Sequence, residues 1–305
     1  MPSNSFGARL QTAFEKYGQL CVGVDPHSAL MLEWGLPDNV RGLDAFSKTV
    51  VDAAAGRVGI IKPQVAFFER FGSKGFAILE KLGERASESG LLVIMDAKRG
   101  DIGSTMEGYF DAWLGKSAPF HADALTVSPY LGFDSLKSFM AGSVERGKGL
   151  FVLDATSNPE AQTLQTAQIP GVEVTQLDQD GNPFTVTTEP TTLASAIWSG
   201  LESVNSITAG PTDLLGSFGA VLGATLNLNR FGLGNVTTIA QTIATPILAP
   251  GFGAQGARLV DAGRLFGSAS HQVIASVSRS VLGAGAAGIE DAIDAAKAEL
   301  AEGLA

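Results

Sequence analysis

LLVIMDAKRGDIGST, residues 91–105, sets five apolar residues directly against a run of alternating charge. An unbroken apolar run, without polar alternation, fits a strand buried on both faces, as in a parallel sheet. Charges closing such a strand cost desolvation energy unless they are paired, so Asp96, Lys98 and Asp101 call for a reason. Seven further β-like runs, most of them continuously apolar, occur along the chain: LCVGVD (20–25), GIIKPQ (59–64), ALTVS (124–128), LFVLDAT (150–156), AVLGATLN (220–227), PILAP (246–250) and QVIASVS (272–278). Between them apolar residues recur at three and four, as on one face of a helix: Leu43, Phe46, Val50 and Val51; Phe76, Leu79 and Leu82; Met106, Tyr109, Phe110 and Trp113; Leu136, Phe139 and Met140. A last helix is expected over Ile289 to Leu300. Eight strands alternating with helices point to an α/β fold of the (β/α)8 TIM-barrel type, with an open doubly wound sheet as the alternative.

One interval is too long for this pattern. More than sixty residues separate Thr156 from Ala220, where a βα unit needs about thirty. Within it, VEVTQLDQDGNPFTVTTEP has two alternating arms around Asp180-Gly181-Asn182, which reads as a β-hairpin, and Thr192 to Val204 looks helical. The expectation is one domain over 1–305, with 160–215 as an insertion of hairpin plus helix in the loop after strand five.

Composition bounds the partners. The 305 residues carry 21 Lys+Arg against 31 Asp+Glu, a net charge of −10, and are 45% hydrophobic. That apolar fraction excludes disorder along the whole chain. The acidic balance argues against nucleic acid polymers and anionic membranes, though it says little about a monomeric nucleotide held by local cations. The single cysteine, Cys21, forbids an intramolecular disulfide and reads as a small buried hydrophobe. No run approaches the roughly 18 apolar residues of a spanning helix, and MPSNSFGARL has no secretory pattern, so a cytoplasmic protein is expected.

In a parallel barrel the active site lies at the C-terminal ends of the strands. Strand one ends at Asp25, before Pro26, and strand two carries Lys62 near its end. Period-two geometry puts Asp96 and Lys98 on one side of strand three, with Asp101 three residues on, so four charges of alternating sign can meet. Two such charges in isolation would read as solvated surface; closing an apolar run, they read as a site. A lysine held between carboxylates stays protonated and can serve as a general acid. A fixed carboxylate repels a substrate carboxylate in the ground state and much less once that charge leaves as CO2. The combination suits decarboxylation followed by protonation of a carbanion. Ser157 could read a polar heterocycle or cap a helix. APGFGAQGAR (249–258), with Pro250 and Gln255, is a Gly-rich loop at the usual phosphate position of such barrels. Arg279 could join that phosphate or lie on the surface.

VGVDPH (22–27), IKPQVAFFE (61–69), MDAKRGDIGST (95–105), SPYLGF (128–133), TSNPE (156–160) and APGFGAQGA (249–257) together resemble the orotidine 5′-phosphate decarboxylase family, in the longer bacterial branch that reads DAKRGDIG. The resemblance runs in order over nearly the whole chain and implies conversion of orotidine 5′-phosphate to UMP, the last step of de novo pyrimidine biosynthesis, with no metal or organic cofactor. It implies that Lys98 protonates C6, that Asp96 lies beside the substrate carboxylate, and that Lys62 contacts the ribose and orders the array. It further implies a homodimer in which Asp101 and Thr105 reach the partner's site. Asp25 would bind a ribose hydroxyl, Ser157 the pyrimidine edge, and Gln255 and Arg279 the phosphate, with Pro250 also in the substrate site. The long interval after strand five departs from the family's shorter members. Mg²⁺-dependent sugar-phosphate decarboxylases and aldolases of the same superfamily share D-x-K-x-x-D but place a carboxylate on strand two, where Lys62 would repel a metal. A catalytically silent phosphosugar-binding barrel would gain little from keeping a costly charge array.

Overall fold

Each of the eight runs forms a strand, and together they close into a parallel barrel: β1 (Leu20–Val24), β2 (Ile60–Pro63), β3 (Leu92–Arg99), β4 (Ala124–Val127), β5 (Gly149–Ala155), β6 (Phe218–Leu222), β7 (Ile247–Ala249) and β8 (Val273–Val277). The structure, a computed structural model, describes residues 4–171, 173–177, 183–237 and 242–305, with the backbone alone at 173–177, 183–187 and 237. Every strand pairs with its sequence neighbour, and β1 pairs with β8 to complete the circle. Alternation explains why the runs are apolar throughout. Cys21, Ile60, Leu92, Ile94, Ala124, Phe151, Val221, Leu248 and Ile274 fill the interior. Their neighbours, among them Val22, Ile61, Val93 and Leu125, pack outward with Phe46, Leu79 and Phe139 of the surrounding helices. Both faces are buried, so both are mostly apolar. Cys21 belongs to the interior layer, where burial pushes its thiol up to about 12, an inert hydrophobe as expected.

The expected helices lie at Val40–Ala54, Gly72–Glu88, Gly103–Trp113, Lys137–Glu145 and Gly285–Leu304. One more, Phe6–Tyr17, was not among the sequence expectations, although Phe6, Leu10 and Ala13 have helical spacing. It closes the base of the barrel, with the Phe6 ring edge-on to Phe151 at 5.9 Å. Ser5 caps it through Ala8 N at 3.1 Å. A side chain at Gly7 would start only 2.0 Å from Leu215 O, so this close docking requires glycine. Among the described residues no helix is long and apolar enough to cross a membrane.

After β5, Glu173–Leu177 pairs antiparallel with Pro183–Thr187, as the alternation predicts; the turn expected at Asp180-Gly181-Asn182 lies outside the described residues. The helix Leu193–Thr208 corrects the expected bounds of the insertion. It packs Ala194, Ile197, Trp198 and Leu201 into the core, and its Asn205 side chain accepts from Phe218 N at 3.1 Å and donates to Phe218 O at 2.7 Å. It is therefore the barrel's own helix between β5 and β6, and the added segment ends near Thr192 rather than at 215.

Candidate active site

The C-terminal ends of the strands surround a cavity of about 840 Å³, lined by Asp25, Lys62, Asp96, Lys98, Ser157, Pro250, Gln255 and Arg279. Eight of the ten residues expected at the site are thus brought together. Asp101 and Thr105 are not. The chain turns away after Arg99, Asp101 Oδ1 accepts from Ile102 N at 2.8 Å, and Thr105 is exposed. Within one chain the expected four-charge array is a three-charge array, a correction to the spacing argument.

The pleat alone does not bring Asp96 and Lys98 together. Met95 pairs with Leu125 and Arg99 with Val127, so Asp96, Ala97 and Lys98 lie opposite the single residue Thr126. The excess is absorbed by a bulge in which Lys98 adopts the left-handed conformation, φ 51°. For a non-glycine residue this is strained backbone, and such strain persists only where the surroundings hold it. Lys98 N donates to Thr126 Oγ1 at 2.9 Å.

The Asp96 carboxylate takes four donors. Oδ1 accepts from Lys98 Nζ at 2.5 Å and Thr126 Oγ1 at 2.9 Å; Oδ2 accepts from Lys62 Nζ at 3.0 Å and Gln64 Nε2 at 3.1 Å. Burial would push this carboxyl up, but Lys62 and Lys98 outweigh it and hold it well below the usual carboxylate range. Burial likewise pulls the Lys62 ammonium down, yet Asp96 and Asp25 hold it above the ordinary lysine value. Lys62 is buried, whereas Lys98 keeps nearly half of its side chain exposed toward the cavity.

Around this centre lie groups suited to a polar ligand. Asp25 Oδ1 and Ser278 Oγ are buried without a hydrogen-bond partner among the described residues, a costly state unless a ligand or water completes them. Ser157 does not cap a helix; its Oγ reaches across the mouth to Gln255 Oε1 at 3.2 Å. The loop carrying Gln255 bends at Gly251, Gly253 and Gly256, with φ of 116°, 71° and 110°, angles open to glycine alone at little cost. Gln64, Thr126 and Ser278 are among the cavity residues that the motif reading did not assign a role. Gln64 stands two residues after Lys62, just past the end of β2, a spacing that could have found it; Thr126 is the one polar residue in β4, but its part in the site depends on the β3 register.

The chain matches the model of the orotidine 5′-phosphate decarboxylase / HUMPS family over residues 18–292. It is 49% identical over 278 residues to an orotidine 5′-phosphate decarboxylase of Streptomyces coelicolor, covering 91% of this chain and 89% of that one. It is 45% identical over 277 residues to the enzyme of that name from a Nocardioides species, covering 91% of each. A crystal structure from Streptomyces avermitilis, provisionally named for the same enzyme, matches with a TM-score of 0.84 at 44% identity, covering 100% of this chain and 97% of that one. By sequence, by fold and by the length matched, this chain belongs to the orotidine 5′-phosphate decarboxylase / HUMPS family.

Proposed function

We propose that the chain decarboxylates orotidine 5′-phosphate to UMP without a metal or organic cofactor. The observation that carries the proposal is Asp96 held between Lys62 and Lys98 at the floor of one cavity. Asp96 is locked in its ionised form and would face the substrate carboxylate. As CO2 leaves, the bonding pair stays on C6, and Lys98 Nζ delivers a proton to that carbon; solvent then reprotonates the amine. No ring position offers a conventional sink for that pair, so the barrier to be lowered is on the order of 20 kcal/mol or more. One hydrogen bond cannot supply that. Ser157 on the base, Asp25 on the ribose, and Gln255, Arg279 and the loop at Pro250 on the phosphate would hold the substrate carboxylate against Asp96, so remote binding energy is realised at the transition state.

The family also holds Mg²⁺-dependent relatives. Against that reading, both Asp96 oxygens are engaged by ammonium groups, and among the described residues no three His, Cys, Asp or Glu side chains converge to bind a metal. Loss of orotidine 5′-phosphate absorbance in the presence of EDTA is the test. Full turnover in EDTA is expected, and turnover only after Mg²⁺ is added would sink the metal-free reading.

Residues 1–305 would form one domain that works in the cytoplasm as a homodimer. Asp101 and Thr105 lie outside their own chain's cavity, and the nearby Ile102, Tyr130 and Leu131 expose large apolar side chains, which supports a partner face there. Mixing Asp96→Ala with Asp101→Ala subunits should restore one intact site per mixed dimer. No recovery would count against sharing across the interface.

A further inference from the structure

We infer that Thr126 is a positioning residue: its hydroxyl holds the Lys98 bulge in the left-handed conformation and, through the same oxygen, fixes Asp96. The inference rests on the decarboxylase reading, but its geometry stands independently. Thr126 is 1% exposed, and its hydroxyl is used twice. It accepts from Lys98 N at 2.9 Å and donates to Asp96 Oδ1 at 2.9 Å. A hydroxyl can do both at once, because it carries one proton and two lone pairs.

The register explains why this residue is needed. Three β3 residues, Asp96, Ala97 and Lys98, lie opposite Thr126 alone, so the β4 backbone cannot meet each of them in an ordinary ladder. The Thr126 side chain takes the place of a ladder acceptor for the Lys98 N–H. Without it that N–H loses its partner, and the strained φ of 51° at Lys98 loses a restraint. The consequence reaches the chemistry directly. The Lys98 backbone sets where Nζ sits, and Oδ1 receives Nζ and the Thr126 hydroxyl together. One hydroxyl therefore fixes the proton donor relative to the carboxylate. Gln64 donates to Oδ2 at 3.1 Å and accepts from Lys98 Nζ at 3.5 Å, but it meets neither Oδ1 nor the Lys98 N–H that Thr126 holds.

Thr126→Val keeps the shape and removes the hydroxyl, whereas Thr126→Ser keeps the hydroxyl and removes a methyl group. Thr126→Val should lower kcat by about 10–100-fold, the size of effect expected when a reacting group moves by about an ångström. KM and the UMP dissociation constant should stay within about threefold of wild type, since the groups set on base, ribose and phosphate are untouched. Thr126→Ser should restore kcat to within about threefold. Should the valine variant not fold, Thr126→Ala carries the same expectations. Wild-type kcat in a folded variant lacking the hydroxyl would overturn the inference. So would no recovery in Thr126→Ser, or a kcat loss matched by an equal loss of UMP affinity and of melting temperature. A crystal structure of unliganded Thr126→Val separates this inference from the assigned reaction. Lys98 should leave the left-handed region or draw away from Asp96, and an unchanged Lys98 overturns the inference even if the wild-type chain proves inert toward orotidine 5′-phosphate.

Discussion

Asp96 at the mouth of the barrel and Asp123 at its base each lie between two cations, and the two clusters are put to different use. At the base, Arg9 Nη1 lies 2.5 Å and Lys148 Nζ 3.7 Å from Asp123 Oδ1. Each member also engages backbone: Asp123 Oδ2 accepts from Val93 N at 2.9 Å, Arg9 Nη2 donates to Gly147 O at 2.7 Å, and Lys148 Nζ donates to Ala122 O at 2.6 Å. The cluster thus ties the closing helix Phe6–Tyr17 to β3 and to the entries of β4 and β5. Burial pulls Lys148 below the ordinary lysine value, with Asp123 acting against it. At the mouth, the Asp96 carboxylate is met only by side chains, and Lys98 extends into a cavity. Charge content does not distinguish the two. What does is whether polar capacity is spent on backbone or left facing a space that a ligand can enter.

The same substitution should separate them. Asp96→Asn is expected to lower kcat by about 10³-fold, as for loss of a preorganised electrostatic group, with a much smaller change in UMP affinity; a kcat within tenfold of wild type would erase the distinction. Asp123→Asn is expected to leave kcat of the folded enzyme intact but to cost about 3 kcal/mol of stability, the lower end for breaking a buried pair. Urea unfolding measures this, and an unchanged midpoint would show that the base cluster is no clamp.

Asp154 provides a third case. It is the extra residue of a register shift between β5 and β6, fully buried, with no partner for either oxygen among the described residues. Burial pushes its pKa well above the ordinary value of 3.8. The folded state then keeps a proton that the unfolded chain releases, so this residue lowers stability progressively as pH rises from about 4 to its folded pKa. Asp154→Asn removes that titration. The variant should gain on wild type as pH rises above about 4, at up to about 1.4 kcal/mol per pH unit until the folded pKa is reached. A stability difference independent of pH would mean that Asp154 is ionised and paired in the folded state.

Much of this was legible in the sequence for physical reasons. Parallel strands buried on both faces need not alternate, so most of the eight stand out as continuously apolar runs, and the charges closing β1, β2 and β3 stand out against them. The misplacements share one cause: departures from regular geometry leave no periodic trace. Counting residues past Lys98 put Asp101 in its own chain's array, whereas the bulge and the turn after Arg99 carry it outside. The helix Leu193–Thr208 falls inside the expected insertion because the excess length before it gives no sign of where the regular βα unit resumes. Thr126 went unnoticed because its importance depends on the β3 register, which pairing reveals and spacing does not.

The most direct test of the central claim is Lys98→Ala, with kcat, UMP affinity and unfolding midpoint measured side by side. A proton donor facing the cavity should account for about 10⁴-fold in kcat, the upper range for general acid catalysis, with affinity and stability close to wild type. Turnover near wild type, or loss of UMP binding in step with kcat, would contradict the assignment of Lys98 as the group that protonates C6.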